Sequence, residues 1–171
     1  MHWLGLVGAV SVQHKTNAVL SGDRKAVNGV ARVYRAQTGK VIVEQILGQR
    51  RPLDIIVNAD PALIEDAILN LIINAIEAIE DEGQITVSIR REETDDGQEA
   101  IIEVADTGRG ICEDDLKKIF NTFFTTTKGG TGLGLPAVRR IARAHAGRVE
   151  ALSKVGEGSS FRIHLPMNTG L

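Results

Sequence analysis

The stretch that decides the fold is KGGTGLGLPAVRRIARAHA, residues 128–146, where a glycine cluster leads directly into a helical pattern. Gly130, Gly132 and Gly134 are spaced two residues apart just before that pattern. Exposed amides at a helix N-terminus form an anion site, and glycine removes the side chains that would block a phosphate. No Gly-Lys-Ser/Thr ending and no βαβ pattern accompany the cluster, so it predicts a phosphate site outside the Walker and Rossmann types. A flexible hinge is the alternative, but it explains the following helix poorly.

A second polar feature lies on the clearest predicted helix, which Asp60 can cap and which begins at Pro61. Apolar residues recur along it at helical spacing as far as residue 79. Buried asparagines need hydrogen-bond partners, so two of them one turn apart would be a costly choice for packing alone. A solvated helix face is the alternative that this helix alone leaves open. The polar residues follow one another at spacings of four, four and three, on one face: Asp66, Asn70, Asn74 and Glu77.

A third feature is VADTGRGI, residues 104–111, where a carboxylate ends an apolar strand and two glycines open the next loop. Asp106 can accept a hydrogen bond from a ligand amine, and Gly108 and Gly110 let the backbone approach that ligand closely. In isolation the spacing favours an ordinary glycine-rich turn. The motif therefore indicates a ligand site only in combination with the glycine cluster and the polar helix face.

The rest of the pattern indicates an α+β fold, a two-layer α/β sandwich with a mixed, mostly antiparallel sheet and helices on one face. Residues 107–131 are crowded with glycine and threonine and predict a functional lid. A second helix is predicted over residues 133–146. Strands are predicted, from β-branched residues between turn signals, at 40–47, 53–59, 84–91, 99–106, 147–153 and 159–166.

Composition narrows the class of protein. The 171 residues are 43% hydrophobic and 25% charged, which describes an ordinary globular domain with a core of its own. The net charge of -2 and the absence of a long Lys/Arg run argue against nucleic acid as a partner. The single cysteine, Cys112, excludes an internal disulfide and fits a reducing compartment. The apolar residues 4–12 fall short of the roughly 20 that a membrane helix needs, so we expect a cytoplasmic chain without membrane contact.

Four stretches together resemble the catalytic ATP-binding domain of bacterial sensor histidine kinases, in the order and at the spacing of that family. The resemblance covers residues 53–166 and implies the Bergerat fold, shared with gyrase, heat-shock chaperone ATPases and mismatch-repair ATPases, with ATP and Mg²⁺ as ligands. The stretches that resemble the asparagine box, the first glycine box, the phenylalanine box leading into the second glycine box, and the final strand are NLIINAIEAI (70–79), DTGRGI (106–111), IFNTFFTTTKGGTGLGL (119–135) and GEGSSFRIHLP (156–166).

The resemblance also implies roles for single residues. Asn74 resembles the magnesium ligand, and Asn70 resembles its neighbour toward the phosphates. Asp106 should hold the adenine amine, with a bridging water that Ser159 helps to fix. Phe123 and Phe124 would anchor the lid. The implied nucleotide-binding set is completed by Glu77, Ala78, Gly108, Gly110, Ile111, Thr127, Lys128, Gly130, Thr131, Gly132, Leu133 and Gly134.

One position separates kinase from hydrolase within the resemblance. The ATPase branches resemble one another in a glutamate four residues before the magnesium asparagine, where it can activate water. Here that position is Asn70, so the resemblance implies a protein-histidine kinase that transfers the γ-phosphate to a histidine in a dimerisation domain or partner chain, with a response regulator downstream. A nucleotide-binding regulatory module of the anti-sigma type is the first alternative, and an ATP-hydrolysing clamp is the second. In the lid, Thr127 occupies the usual lysine position and Lys128 follows it, which leaves open which of them meets the γ-phosphate.

The N-terminal part departs from the family pattern. We assign residues 41–171 to the ATP-binding catalytic domain and 1–40 to a segment that could be a remnant of a dimerisation and phosphoacceptor region. His14 is the candidate phosphoacceptor, but Lys15 stands where an acidic residue is usual, and Ala18-Val19 stands where Asn-Pro is usual. About 25 residues lie between His14 and the first catalytic strand, too few for a helical hairpin. The sequence specifies no oligomeric state.

Overall fold

The computed structural model describes residues 18–19, 26–27, 29–35, 41–46, 50–51, 55–95, 97–127 and 129–167. His14 and Lys128 lie outside these residues. The helices are α1 (Pro61–Ala78), α2 (Glu113–Leu116) and α3 (Gly134–Ala144). The strands are β1 (Ala18–Val19), β2 (Ala26–Val27), β3 (Gly29–Arg35), β4 (Val41–Ile46), β5 (Arg50–Arg51), β6 (Ile56–Val57), β7 (Glu82–Thr94), β8 (Gly97–Asp106), β9 (Arg148–Lys154) and β10 (Gly158–Pro166).

The main sheet has the strand order β4-β3-β7-β8-β10-β9, and each of these neighbours pairs antiparallel. Two short antiparallel pairs, β1 with β6 and β2 with β5, accompany it. The register sets Asp106 opposite Ser159, and Ser159 opposite Ser153, at one end of three neighbouring strands. The predicted α+β sandwich with a mostly antiparallel sheet is confirmed, and every pairing among the described strands is antiparallel.

Helix α1 forms where the sequence predicts it because its start is well capped. The Asp60 carboxylate accepts a hydrogen bond from the Ala62 amide at 2.9 Å, and Pro61 needs no partner for an amide hydrogen. The apolar face of α1 packs on β7, β8 and β10, and α3 packs beside it on β9 and β10. Full burial of one such aliphatic side chain contributes roughly 1.5–3 kcal/mol. The buried residues of α1 are Ile64, Ala67, Ile68, Leu71, Ile72 and Ala75.

The structure changes some predicted boundaries. Within the described part of the strand predicted at 53–59, residues 55–59, only β6 is strand, and the predicted turn between β7 and β8 is mostly taken up by longer strands. The predicted lid holds the single-turn helix α2, whose first turn carries three acidic residues that suit the positive end of a helix. Among the described residues, no helix combines the length and apolar character that crossing a membrane requires.

Candidate functional site

A cavity of about 380 Å³ lies between the C-terminal half of α1, the ends of β8 and β10, and the segment that leads into α3. This volume is within the range of small-molecule sites, roughly 300–1,000 Å³. Most of the predicted nucleotide-binding residues meet there, although they come from four separate parts of the chain. Those that line the cavity are Asn70, Asn74, Glu77, Ala78, Asp106, Gly110, Ile111, Thr127, Gly130, Thr131, Gly132, Gly134 and Ser159.

Three predicted residues do not line it. Gly108 contacts two residues that line the cavity. Its amide donates to the Asp106 carboxylate at 2.8 Å, and an added Cβ would lie 2.5 Å from the Ala78 carbonyl oxygen. Leu133 is the exposed residue that precedes α3. Phe123 has a φ of 69° and a side chain that is 75% exposed, and its role as an anchor of the lid stays a prediction. Phe124 lines the cavity instead.

Asp106 forms the polar floor of one end of the cavity, and its side chain is buried. Burial raises the pKa of Asp106 from its ordinary range, and the backbone hydrogen bonds from Gly108 and Ser159 offset this only in part. In the described part of the chain no Lys, Arg or His forms a salt bridge with this carboxylate. The carboxylate is therefore held desolvated beside open space, where a ligand donor would stabilise it.

Asn70 and Asn74 meet the glycine cluster at the other end. The Asn70 Nδ2 donates to the Asp66 carbonyl oxygen at 2.9 Å, which leaves its Oδ1 available. A Cβ at Gly134 would lie 3.2 Å from that Oδ1 and 3.9 Å from Asn74 Nδ2, so both amides lie near the first residue of α3. The Asn74 Nδ2 is buried and has no hydrogen-bond partner among the described residues. This end can therefore bind a polar, oxygen-rich ligand.

Two residues that sequence reasoning missed contribute to the site. Arg109 lines the cavity, and its Nη2 donates to Thr127 Oγ1 at 3.2 Å across the mouth. Ser153 lies behind the wall, where its Oγ accepts from the Ile111 amide at 2.8 Å. Arg109 could have been suspected from its place between the two glycines of DTGRGI. Ser153 carried no such signal, because its role depends on strand register.

Comparison with known proteins agrees with this geometry. Residues 59–169 match the family described as histidine kinase-, DNA gyrase B-, and HSP90-like ATPase. The chain is 42% identical over 112 residues to the sensor histidine kinase ZraS of Klebsiella oxytoca, and 43% identical over 112 residues to the signal transduction histidine-protein kinase AtoS of Escherichia coli (strain K12). Each match covers 66% of this chain, but only 24% of the first relative and 18% of the second. The chain thus spans about a quarter or less of the length of these relatives.

Solved structures show the same similarity. The nucleotide-free catalytic domain of the histidine kinase ThkA matches with a TM-score of 0.55 and 35% identity, over 66% of this chain and 72% of that one. Full-length ShkA in complex with AMPPNP matches with a TM-score of 0.56 and 32% identity, over 68% of this chain and 24% of that one. These matches confirm the resemblance inferred from the four sequence motifs.

Proposed function

The chain belongs to the family of histidine kinase-, DNA gyrase B- and HSP90-like ATPases, and from this premise we propose that it is the ATP-binding phosphoryl-donor domain of a two-component sensor histidine kinase. In this proposal the γ-phosphate of ATP passes to a histidine in a dimerisation domain or partner chain. A response regulator would then receive it, which makes the reaction a cytoplasmic step of signal transduction.

The two ends of the cavity suit the two ends of ATP. Asp106 is a buried acceptor without a cationic partner among the described residues, so it fits the exocyclic amine of adenine. The opposite end has Gly130, Thr131 and Gly132 just before the N-terminus of α3, where backbone amides and the helix dipole favour phosphate. The nucleotide would therefore lie along the cavity, with its base on the sheet and its phosphates at the glycines.

The residues present also fit Mg²⁺. No described residue donates to Asn70 Oδ1, while the Asp66 carbonyl holds the Asn70 amide nitrogen. Asn74 places its unpartnered Nδ2 near the same residue of α3, and a turn of that amide would bring its oxygen to the same place. Amide oxygens are ligands that this hard cation accepts, and it usually takes only one or two protein ligands beside the phosphates. The bound ion would supply neutralisation of the charge on the phosphates. Asn70 and Asn74 are thus the proposed protein ligands.

The observation that carries the kinase proposal is the amide at Asn70. It lies at the phosphate end of the cavity, and an amide cannot accept a proton from water as a carboxylate can. The γ-phosphate would therefore be kept for a stronger nucleophile. Glu77, an exposed carboxylate that also lines the cavity one turn beyond Asn74, is the observation that favours hydrolysis as the second candidate.

The test uses γ-labelled ATP with Mg²⁺. The purified chain is incubated alone, as His14→Gln, and together with a histidine-bearing dimerisation domain, and each protein is scored for an acid-labile, alkali-stable phosphoamide. We expect label on the added domain. Label on the wild-type chain that His14→Gln removes would show an acceptor within this chain. Binding of ATP without label on any histidine would favour the anti-sigma type of module and contradict the proposal.

Hydrolysis is tested in parallel. Replacing Asn70 by Glu would introduce a general base and should raise the rate of phosphate release, whereas Glu77→Gln should leave the slow wild-type rate unchanged. A rapid wild-type rate that Glu77→Gln abolishes would identify the chain as a hydrolase.

A further inference from the structure

Three polar side chains form a row across the end of the sheet, one from each of three neighbouring strands. Asp106 on β8 is opposite Ser159 on β10, and Ser159 is opposite Ser153 on β9. Asp106 and Ser159 are buried and line the cavity, whereas Ser153 lies behind them and is partly buried. Ser153 thus contacts the site only through other residues.

The hydrogen bonds of Ser153 determine the direction of the whole row. A serine hydroxyl has one proton to donate and two lone pairs that accept. The Gly158 carbonyl oxygen, 2.9 Å from Ser153 Oγ, can only accept, so we assign the Ser153 proton to this contact. The Ile111 amide donates to the same oxygen at 2.8 Å. The remaining partner, Ser159 Oγ at 3.0 Å, must therefore donate its own proton to Ser153.

This direction decides what the cavity can offer a purine base. With its proton committed to Ser153, Ser159 has only lone pairs left for the cavity, beside the Asp106 carboxylate. We propose that Ser153 is a positioning residue that fixes the Ser159 hydroxyl, so that this end of the cavity presents acceptors alone and selects 6-amino purines against 6-oxo purines. The inference rests on the proposed function, because it places the base of the nucleotide against Asp106.

The proposed selection rests on a free-energy cost. A 6-oxo oxygen is a hydrogen-bond acceptor, and here it would face two further acceptors, Ser159 and Asp106. The amine of adenine can donate to both Ser159 and Asp106, whereas the 6-oxo group of hypoxanthine has no proton for either. A buried polar atom left without a partner is costly, which is why a site built around hydrogen bonds rejects the analogue that cannot make them. Releasing the Ser159 proton would remove part of that penalty, since the hydroxyl could then donate to the oxo group.

The experiment measures dissociation constants of ADP and IDP for the full chain by isothermal titration calorimetry. IDP lacks the 2-amino group of guanine, so it differs from ADP only along one edge of the base, in the 6-oxo group and the proton on N1. We expect the wild type to prefer ADP, and Ser153→Ala to lower the ratio of the IDP to the ADP constant by about tenfold, the effect of redirecting one hydrogen bond. A purely structural role of Ser153 would weaken both nucleotides equally and leave the ratio unchanged.

Three variants make the result specific. Ser153→Thr keeps the hydroxyl and should retain the wild-type ratio. Adding Ser153→Ala to Ser159→Ala should not change the ratio further, because the effect acts through Ser159. Should Ser153→Ala not fold, Ser153→Cys keeps a side chain of similar shape with only a weak donor, and should lower the ratio in the same direction.

The outcomes separate the two proposals. An unchanged ratio in the Ser153 variants, with ADP still bound, overturns the inference and leaves the proposed function standing. A further fall of the ratio when Ser153→Ala is added to Ser159→Ala also overturns it. Failure of the folded wild-type chain to bind any purine nucleotide overturns the proposed function and the inference with it.

Discussion

Strand β8 places the carboxylate of Glu103 on one face of the sheet and that of Asp106 on the other, and the two carboxylates have opposite environments. On the outer face, burial alone would raise the pKa of Glu103, but hydrogen bonds from Ser160 at 2.5 Å and Arg162 at 2.9 Å outweigh it and hold the pKa low. On the cavity side, burial raises the pKa of Asp106 more than its backbone hydrogen bonds lower it. Arg90 adds a third donor to Glu103, whereas Asp106 has no cation beside it in the described part of the chain.

The difference shows which carboxylate serves the fold and which serves a ligand. A buried charge that the protein pairs completely contributes to structure, while one left desolvated and unpaired costs stability. Such a cost is tolerated where a ligand supplies the missing partner, and perturbed carboxylates accordingly cluster at functional sites. We therefore expect changes on the cavity side to alter nucleotide affinity, and changes on the outer face to alter stability.

The largest expected effect is on Asp106. Asp106→Asn removes the charged acceptor for the adenine amine and should weaken ADP binding by about 10- to 100-fold, the range for a hydrogen bond to a charged group. Titration calorimetry of both proteins measures it. The matched control is Glu103→Gln on the same strand, which should change ADP affinity less than about twofold. Equal losses in the two variants would contradict the division between the faces.

The glycine loop extends the comparison to the phosphate end. An added Cβ at Gly132 would lie 2.5 Å from the Phe123 carbonyl carbon, and its φ of +66° already disfavours other residues. Gly132→Ala should weaken ADP binding by roughly tenfold and also lower the melting temperature, because the loop backbone must shift to make room. Gly129→Ala is the control, because its φ is also positive but no described residue lies within 4 Å of the added Cβ. A loss as large in the control would mean that backbone strain alone is responsible.

Stability should respond to pH with opposite signs on the two faces. Because the pKa of Asp106 is raised on folding, its charged form destabilises the nucleotide-free chain as pH rises through that pKa. Asp106→Asn should therefore raise the melting temperature at pH 7 and lose this advantage near pH 3. The pKa of Glu103 is lowered on folding, so its ionised form stabilises the fold at pH values above the ordinary carboxyl pKa. This stabilisation is lost as the pH falls through the lowered pKa. Glu103→Gln should accordingly lower the melting temperature at pH 7 and matter less in acid.

Differential scanning calorimetry at pH 7 and pH 3, without nucleotide, measures both variants. If both lowered the melting temperature at pH 7, Asp106 would be a structural carboxylate and the comparison would fail.

The smallest expected effect concerns the mouth of the cavity. The hydrogen bond from Arg109 to Thr127 is exposed, so Arg109→Ala should weaken ADP binding only about two- to fivefold, mainly through faster release. Stopped-flow release of a fluorescent ADP analogue measures it. Thr127→Val should have a similar effect, and the double variant no more than either alone. Arg140→Ala removes an exposed charge from α3 and serves as the control. Additive effects of the two changes would exclude their contact as the cause.

Local signals allowed much of this architecture to be predicted from the sequence. Capping by Asp60 and the helical period predicted α1, and β-branched residues between turn signals predicted the long strands, while β6 holds only two of the described residues of its predicted strand. Asp106 was predictable because a carboxylate at the end of an apolar strand is a local pattern. The contacts of Ser153 and Arg109 were not, since they depend on cross-strand register and on how the lid packs. The exposure and the positive φ of Phe123 likewise carry no signal in the sequence.

The most direct test of the account is a crystal structure of the chain with Mg²⁺ and a non-hydrolysable ATP analogue. We predict that the exocyclic amine of adenine lies within hydrogen-bond distance of the Asp106 carboxylate, and that the phosphates contact the amides of residues 131–134 beside Asn70. Nucleotide bound elsewhere, or bound with Asp106 still lacking a ligand donor, would contradict the central claim that this cavity is an ATP site.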